Sequence, residues 1–169
     1  MKILITTLII CIGIGSFQEA NAQLAINKST YNNAIGLRAG PTSGLTIKHM
    51  MGRSAFEGII GMWPAGFSFT GLYEINASTG VPGLNWYYGG GAHLAVQPNN
   101  YYYVRDRYYY YRYRDRGLGL GIDGVIGVEY KIKPIPFALS FDLKPMMEVN
   151  TNGGVFTGLD PGLGLKVTF

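Results

Sequence analysis

The sequence predicts an all-β fold: an eight-stranded antiparallel up-and-down transmembrane β-barrel with a charged, plugged lumen. Three observations lead there. Gly117 to Ile132 (GLGLGIDGVIGVEYKI) alternates strictly, with Leu118, Leu120, Ile122, Gly124, Ile126, Val128, Tyr130 and Ile132 on one face. Gly119, Gly121, Asp123, Val125, Gly127, Glu129 and Lys131 fall on the other, and a period of two is the signature of a strand. The apolar face is large and unbroken while the polar face is small and charged, as expected where the outside meets lipid and the inside a narrow polar channel. Seven further stretches repeat this pattern, separated by hairpin-length turns or modest connections.

The chain has 169 residues, enough for one domain. Residues 1–22 read as a cleavable secretory signal: Lys2 is the positive start, Ile3 to Ile14 the apolar run, and Ala20-Asn21-Ala22 the small-x-small cleavage site. The apolar run is too short to cross ~30 Å of hydrocarbon, which takes about 20 residues. Cys11, the sole cysteine, lies within that run behind Ile9 and Ile10, so neither lipidation nor a disulfide is expected in the mature chain. Cleavage removes Lys2 and Glu19, one charge of each sign, and leaves the net charge at +4. Residues 23–33 form a polar periplasmic lead-in, and 34–169 the barrel.

The first strand is Ala34 to Ala39, with Ile35 and Leu37 outward and Gly36 and Arg38 inward; Gly40-Pro41-Thr42-Ser43 turns the chain. The second is Gly44 to His49, with Thr46 and Lys48 inward. The third is Ala55 to Met62, where Phe56, Gly58, Ile60 and Met62 oppose Glu57, Ile59 and Gly61. Trp63-Pro64-Ala65 follows, since proline cannot donate to a ladder. The fourth, Gly66 to Ile75, sets Phe67, Phe69 and Tyr73 against Ser68, Thr70, Leu72 and Glu74. The fifth, Gly83 to Gln97, has Trp86, Tyr88 and Leu94 outward and Tyr87 and His93 inward, with Gly89-Gly90-Gly91 free to bend. The sixth is Gly117 to Ile132. The seventh is Ile135 to Lys144, with Asp142 and Lys144 inward, and Pro145 to Gly154 is a connection. The eighth is Val155 to Phe169, with a kink expected at Asp160-Pro161. Strands one to three are short against the ~9–11 residues a membrane strand needs.

The inward charges are Arg38, Lys48, Lys144 and Lys166 against Glu57, Glu74, Asp123, Glu129 and Asp142, with His93 beside them. The two sets nearly balance. Buried charges must be paired or hydrogen-bonded, so a salt-bridged plug is expected and not an open pore. Catalytic machinery is not indicated: there is no GxSxG, and GLGLG at 117–121 precedes no helix. His49 and His93 are too few for a histidine-rich metal site. No cofactor and no metal are expected. Only His93 with Asp123 hints at the alternative of a lipid-modifying enzyme; a narrow pore is the other.

These features together resemble the small eight-stranded outer-membrane β-barrels of gram-negative bacteria, the OmpA/OmpX-like class. The resemblance spans about Ala34 to Phe169. Its last strand matches the assembly signal of that class at Gly164, Val167 and Phe169, with Gly162 where a polar residue is usual. It implies outer-membrane lipid and lipopolysaccharide as surroundings and the barrel-assembly machinery as a partner in biogenesis. Members of the class include adhesins, surface-resistance factors and a lipid-modifying enzyme.

The class resemblance puts both termini in the periplasm and the connection after the fifth strand outside the cell. That connection, 98–116, is Tyr/Arg-rich. Tyr101 to Arg116 holds eight of the 13 tyrosines, five arginines and two aspartates, a net of +3. Tyr101, Tyr102, Tyr103, Arg105, Arg107, Tyr108, Tyr109, Arg112, Arg114 and Arg116 are candidate ligand contacts. Tyrosine offers rigid contact area, and arginine grips phosphates and carboxylates with two hydrogen bonds. Lipopolysaccharide phosphates, another extracellular polyanion or a surface ligand would suit; nucleic acid would not, given the location. The alternation in YRYRDR also fits a plain hairpin prolonging its two flanking strands. The reading is thus of a non-enzymatic surface protein, structural or adhesive.

Overall fold

The computed structural model describes residues 31–63, 66–97, 102–105, 110–113, 117–151 and 154–169. The strands are β1 Asn33–Ala39, β2 Ser43–Met51, β3 Ser54–Trp63, β4 Gly66–Ser78, β5 Leu84–Gln97, β6 Tyr102–Arg105, β7 Tyr110–Tyr113, β8 Gly117–Ile132, β9 Phe137–Asn150 and β10 Val155–Thr168. Eight of them close into one barrel in the order β1-β10-β9-β8-β5-β4-β3-β2, every pair antiparallel. β6 and β7 form a separate two-stranded sheet. Closure rests on six register pairs between β1 and β10, Ala34↔Thr168 through Ala39↔Leu163, and leaves the barrel no open edge. The described residues contain no helix.

The meander gives the barrel two distinct ends. The terminal end carries Asn33, Phe169 and the β2–β3, β4–β5 and β8–β9 turns. The loop end carries the other connections, including 98–116 between β5 and β8. The Phe169 amide donates to Asn33 O at 2.8 Å, and the Asn33 amide donates back to Phe169 O at 2.8 Å, tying the two chain ends together.

The radial distribution of polarity is inverted relative to a water-soluble core. Leu120, Ile122 and Leu163 are 66%, 60% and 62% exposed, whereas Lys48, Glu74, Asp160 and Lys166 are 1%, 0%, 0% and 2% exposed. Alternation produces this directly, because each strand turns one parity in and the other out. β10 is the plainest case: Asp160, Gly162, Gly164, Lys166 and Thr168 are buried, and the residues between them exposed.

Three expectations from sequence need correction. The seventh strand begins at Phe137, not Ile135, and does not end at Lys144: β9 runs on through Pro145 to Asn150. Proline is tolerated because its ladder to β8 is interrupted there. Pairing passes from Asp123↔Met146 to Ile126↔Leu143, skipping Lys144 and Pro145, while Leu159↔Pro145 keeps register with β10. Second, β10 does not break its pairing at Asp160-Pro161; Asp160↔Lys144 and Pro161↔Leu143 continue the β9 ladder. On its other side β1 stops at Ala39, opposite Leu163, so Pro161 has no neighbour awaiting a donor. Third, the lead-in placed at 23–33 yields Asn33 to β1, and Tyr31 is buried against the interior. Residues 1–30, with the proposed signal segment, lie outside the described residues, as do the Pro64-Ala65 and Asn152-Gly153 turn positions.

Candidate functional site: the charged interior

Two ionic clusters occupy the barrel, one toward each end. At the terminal end Lys48 Nζ lies 2.8 Å from Glu74 Oε2, 3.4 Å from Glu129 Oε2 and 3.9 Å from Glu57 Oε2. The Glu74 contact has the distance of an ion pair without the alignment of a hydrogen bond. Lys166 Nζ donates to Glu57 at 3.0 Å and stands 3.5 Å from Glu129. The Thr46 hydroxyl donates to Glu57, and the Tyr31 hydroxyl donates to Glu129. Burial, then the Glu129 charge, push the Tyr31 phenol up, which holds it in the donor form.

The loop-end cluster is built differently. Arg38 spans two strands' carboxylates with its fork: Nη2 to Asp142 Oδ1 at 2.6 Å and Nη1 to Asp160 Oδ2 at 3.0 Å. It also donates to the carbonyls of Thr42 and Asp160. Lys144 Nζ bridges Asp123 at 3.1 Å and Asp160 at 3.5 Å. His93 sits between two carboxylates, Nδ1 2.7 Å from Asp123 and Nε2 3.2 Å from Glu148. With both ring nitrogens engaged, His93 has none free to take a proton from a hydroxyl, as a serine nucleophile would require. A small cavity beside it is bordered by Thr42, Ser68, Thr70, His93, Lys144 and Glu148.

Between the clusters, Ile59, Leu72, Tyr87 and Val125 form an apolar group. Tyr87 links the two sides: its ring lies 4.4 Å from Lys48 Nζ, and its hydroxyl stands 3.5 Å from Asp142.

Glycines of the inner wall make room for these side chains. A Cβ at Gly162 would meet Arg38 Cζ at 2.3 Å, and one at Gly119 would meet Glu148 Oε1 at 2.3 Å. One at Gly121 would meet His93 Cε1 at 2.2 Å, and one at Gly127 would meet Tyr87 Cζ at 2.6 Å. The bulky interior residues therefore lie on bare backbone across the barrel.

All ten interior charges read from sequence (Arg38, Lys48, Glu57, Glu74, His93, Asp123, Glu129, Asp142, Lys144 and Lys166) are buried. Glu148 and Asp160 join them and were missed, because prolines 145 and 161 masked the strand parity on which they lie. Among the described residues the buried acids thus number seven against four Lys/Arg plus His93, so the near balance expected from sequence gives way to an excess of carboxylates. Gly164 sits inward against Ser140, Val167 faces outward, and Phe169 is exposed at the terminal end. Of the loop candidates, Tyr102, Tyr103 and Arg105 fall in β6 and Arg112 in β7. Tyr101, Arg107, Tyr108, Tyr109, Arg114 and Arg116 lie outside the described residues.

Comparison with protein-family profiles, with characterised proteins and with solved structures gave no match.

Proposed function

We propose that this chain is an outer-membrane β-barrel of the OmpA/OmpX-like class, acting as a non-enzymatic surface protein with a closed interior. One observation carries the reading: a closed barrel whose exterior is apolar and whose interior holds the ions. In hydrocarbon each unpaired backbone group costs several kcal/mol, and closure removes them all. The outward aromatics support it. Trp86, Tyr88, Tyr73 and Tyr130 are exposed toward the terminal end, with Trp86 stacked on Tyr88 at 5.2 Å and Tyr73 edge-on to Phe56 at 5.2 Å. Such rings favour the membrane–water boundary. In this reading the terminal end faces the periplasm, lipid and lipopolysaccharide surround the belt, the barrel-assembly machinery inserts the chain, and the Tyr/Arg hairpin stands at the cell surface as its adhesive or ligand-binding part.

The paired clusters and the Tyr87 layer leave no continuous water path in this reading. The test is heat-modifiable migration of the membrane-fraction protein in a denaturing gel, with planar-bilayer recording beside it. A faster band before boiling and no discrete conductance steps are the expected results. A single band at all temperatures, with the protein soluble without detergent, overturns the proposal.

A further inference from the structure

The register of the β6–β7 hairpin sorts its residues by charge. Tyr103 lies opposite Arg112 and Arg105 opposite Tyr110; Tyr102 lies opposite Tyr113 and Val104 opposite Tyr111. Directly opposed positions share a face, and successive positions alternate. One face therefore holds 103, 105, 110 and 112, two tyrosines and two arginines. The other holds 102, 104, 111 and 113, three tyrosines and a valine, with no charge. The sequence around the strands keeps the same parity. Arg107 follows Arg105, and Arg114 and Arg116 follow Arg112, while Asp106 follows Val104 and Asp115 follows Tyr113. A hairpin that merely prolonged its flanking strands would be strengthened by Asp opposite Arg on one face. Here parity separates every aspartate from every arginine, which suits an outside anion better than internal pairing.

Chain length fixes where this face can stand. Residues 114–116 separate β7 from β8. At ~3.3–3.6 Å per residue the link from Tyr113 to Gly117 spans at most about 14 Å. The headgroup layer on each side of a bilayer is roughly 5–8 Å deep, so the hairpin is tethered close to that layer at the loop end.

We propose that the face carrying Tyr103, Arg105, Tyr110 and Arg112 docks the phosphates of anionic lipid headgroups in the leaflet around the loop end. This rests on the membrane reading above and names a partner for the hairpin within it. The guanidinium fork matches two phosphate oxygens at once, and tyrosine hydroxyls add donors at low entropic cost.

The test places the full chain in phosphatidylcholine nanodiscs containing a minor fraction of a bisphosphorylated glucosamine-disaccharide lipid. Native mass spectrometry counts the glycolipid retained, with the dephosphorylated lipid as reference and heparin as a soluble polyanion. The wild type should enrich the bisphosphorylated form. Arg105→Ala/Arg112→Ala should lose that enrichment by about tenfold or more, as two charge-assisted contacts vanish, and Val104→Ala/Tyr111→Ala should keep it. Equal loss in both variants, or no loss in either, overturns the proposal. So does tight heparin capture without glycolipid enrichment, which would assign the face to a soluble partner. A wild-type chain that fails to enter the nanodisc defeats the membrane reading instead; a chain that enters and enriches nothing defeats this inference alone.

Discussion

The two ionic clusters solve one problem with different parts. The terminal-end cluster uses long residues: Lys48 and Lys166 share Glu57, Glu74 and Glu129 over distances of 2.8 to 3.9 Å. Its charges are exchangeable, since each lysine has several carboxylates within reach. The loop-end cluster uses short acids and a fork, with Arg38 fixed by Asp142, Asp160 and two carbonyls and His93 clamped from both sides. A lysine is a rotatable point charge, and arginine a planar donor set. The terminal end should therefore absorb damage by re-pairing, and the loop end should break at single positions.

The sharpest break is Arg38→Met. It strands Asp142 and leaves Asp160 with Lys144 alone, and removing one partner of a buried ion pair costs about 3–5 kcal/mol. Urea unfolding of the refolded protein in lipid vesicles reads the loss. Lys48→Met should cost less, on the order of 2–3 kcal/mol by the same rule, because Lys166 stays within reach of Glu57 and Glu129. Adding Glu74→Gln to Lys48→Met should recover part of that cost, a coupling of roughly 1 kcal/mol or more. If Lys48→Met proves the more damaging change, the contrast between the ends is wrong.

Gly121→Ala tests the interior seats. Its methyl would meet the His93 ring at 2.2 Å and the Met147 carbonyl at 2.6 Å, and the backbone cannot swing away. Overpacking of this kind costs about 1–3 kcal/mol, and the His93 ring NMR signals should shift with it. Tyr31→Phe removes one donor from Glu129 but leaves both lysines, so a loss of roughly 1–2 kcal/mol is expected. The smallest effect belongs to Gly58→Ala and Gly71→Ala, where a methyl meets open space outside the wall. Each should stay within about 0.5 kcal/mol of wild type.

Much of this architecture is legible in the sequence because parity is local. In β8 a reader sees that Asp123 and Glu129 share a face with Gly119, Gly121 and Gly127 before any coordinates exist. Parity fails at Pro145 and Pro161, where a ladder is excused from pairing on one side, and that hid Glu148 and Asp160. Tyr31 was invisible for another reason: it lies outside any periodic stretch, and its partner Glu129 is 98 residues away. Which ions meet depends on closure of β1 on β10. That sets Arg38 beside Asp142 and Asp160 across sequence separations of 104 and 122 residues, and no local pattern encodes such a distance.

The glycine seats have an evolutionary consequence. Where a guanidinium rests on Gly162, an imidazole on Gly121 and a phenol ring on Gly127, neither member of a couple is free to drift alone. Gain of a side chain at the seat must be matched by shortening of its occupant. Divergent copies of this chain should vary freely along the outer surface, while the inner circumference changes by coordinated double steps: 38 with 162, 93 with 121, 87 with 127.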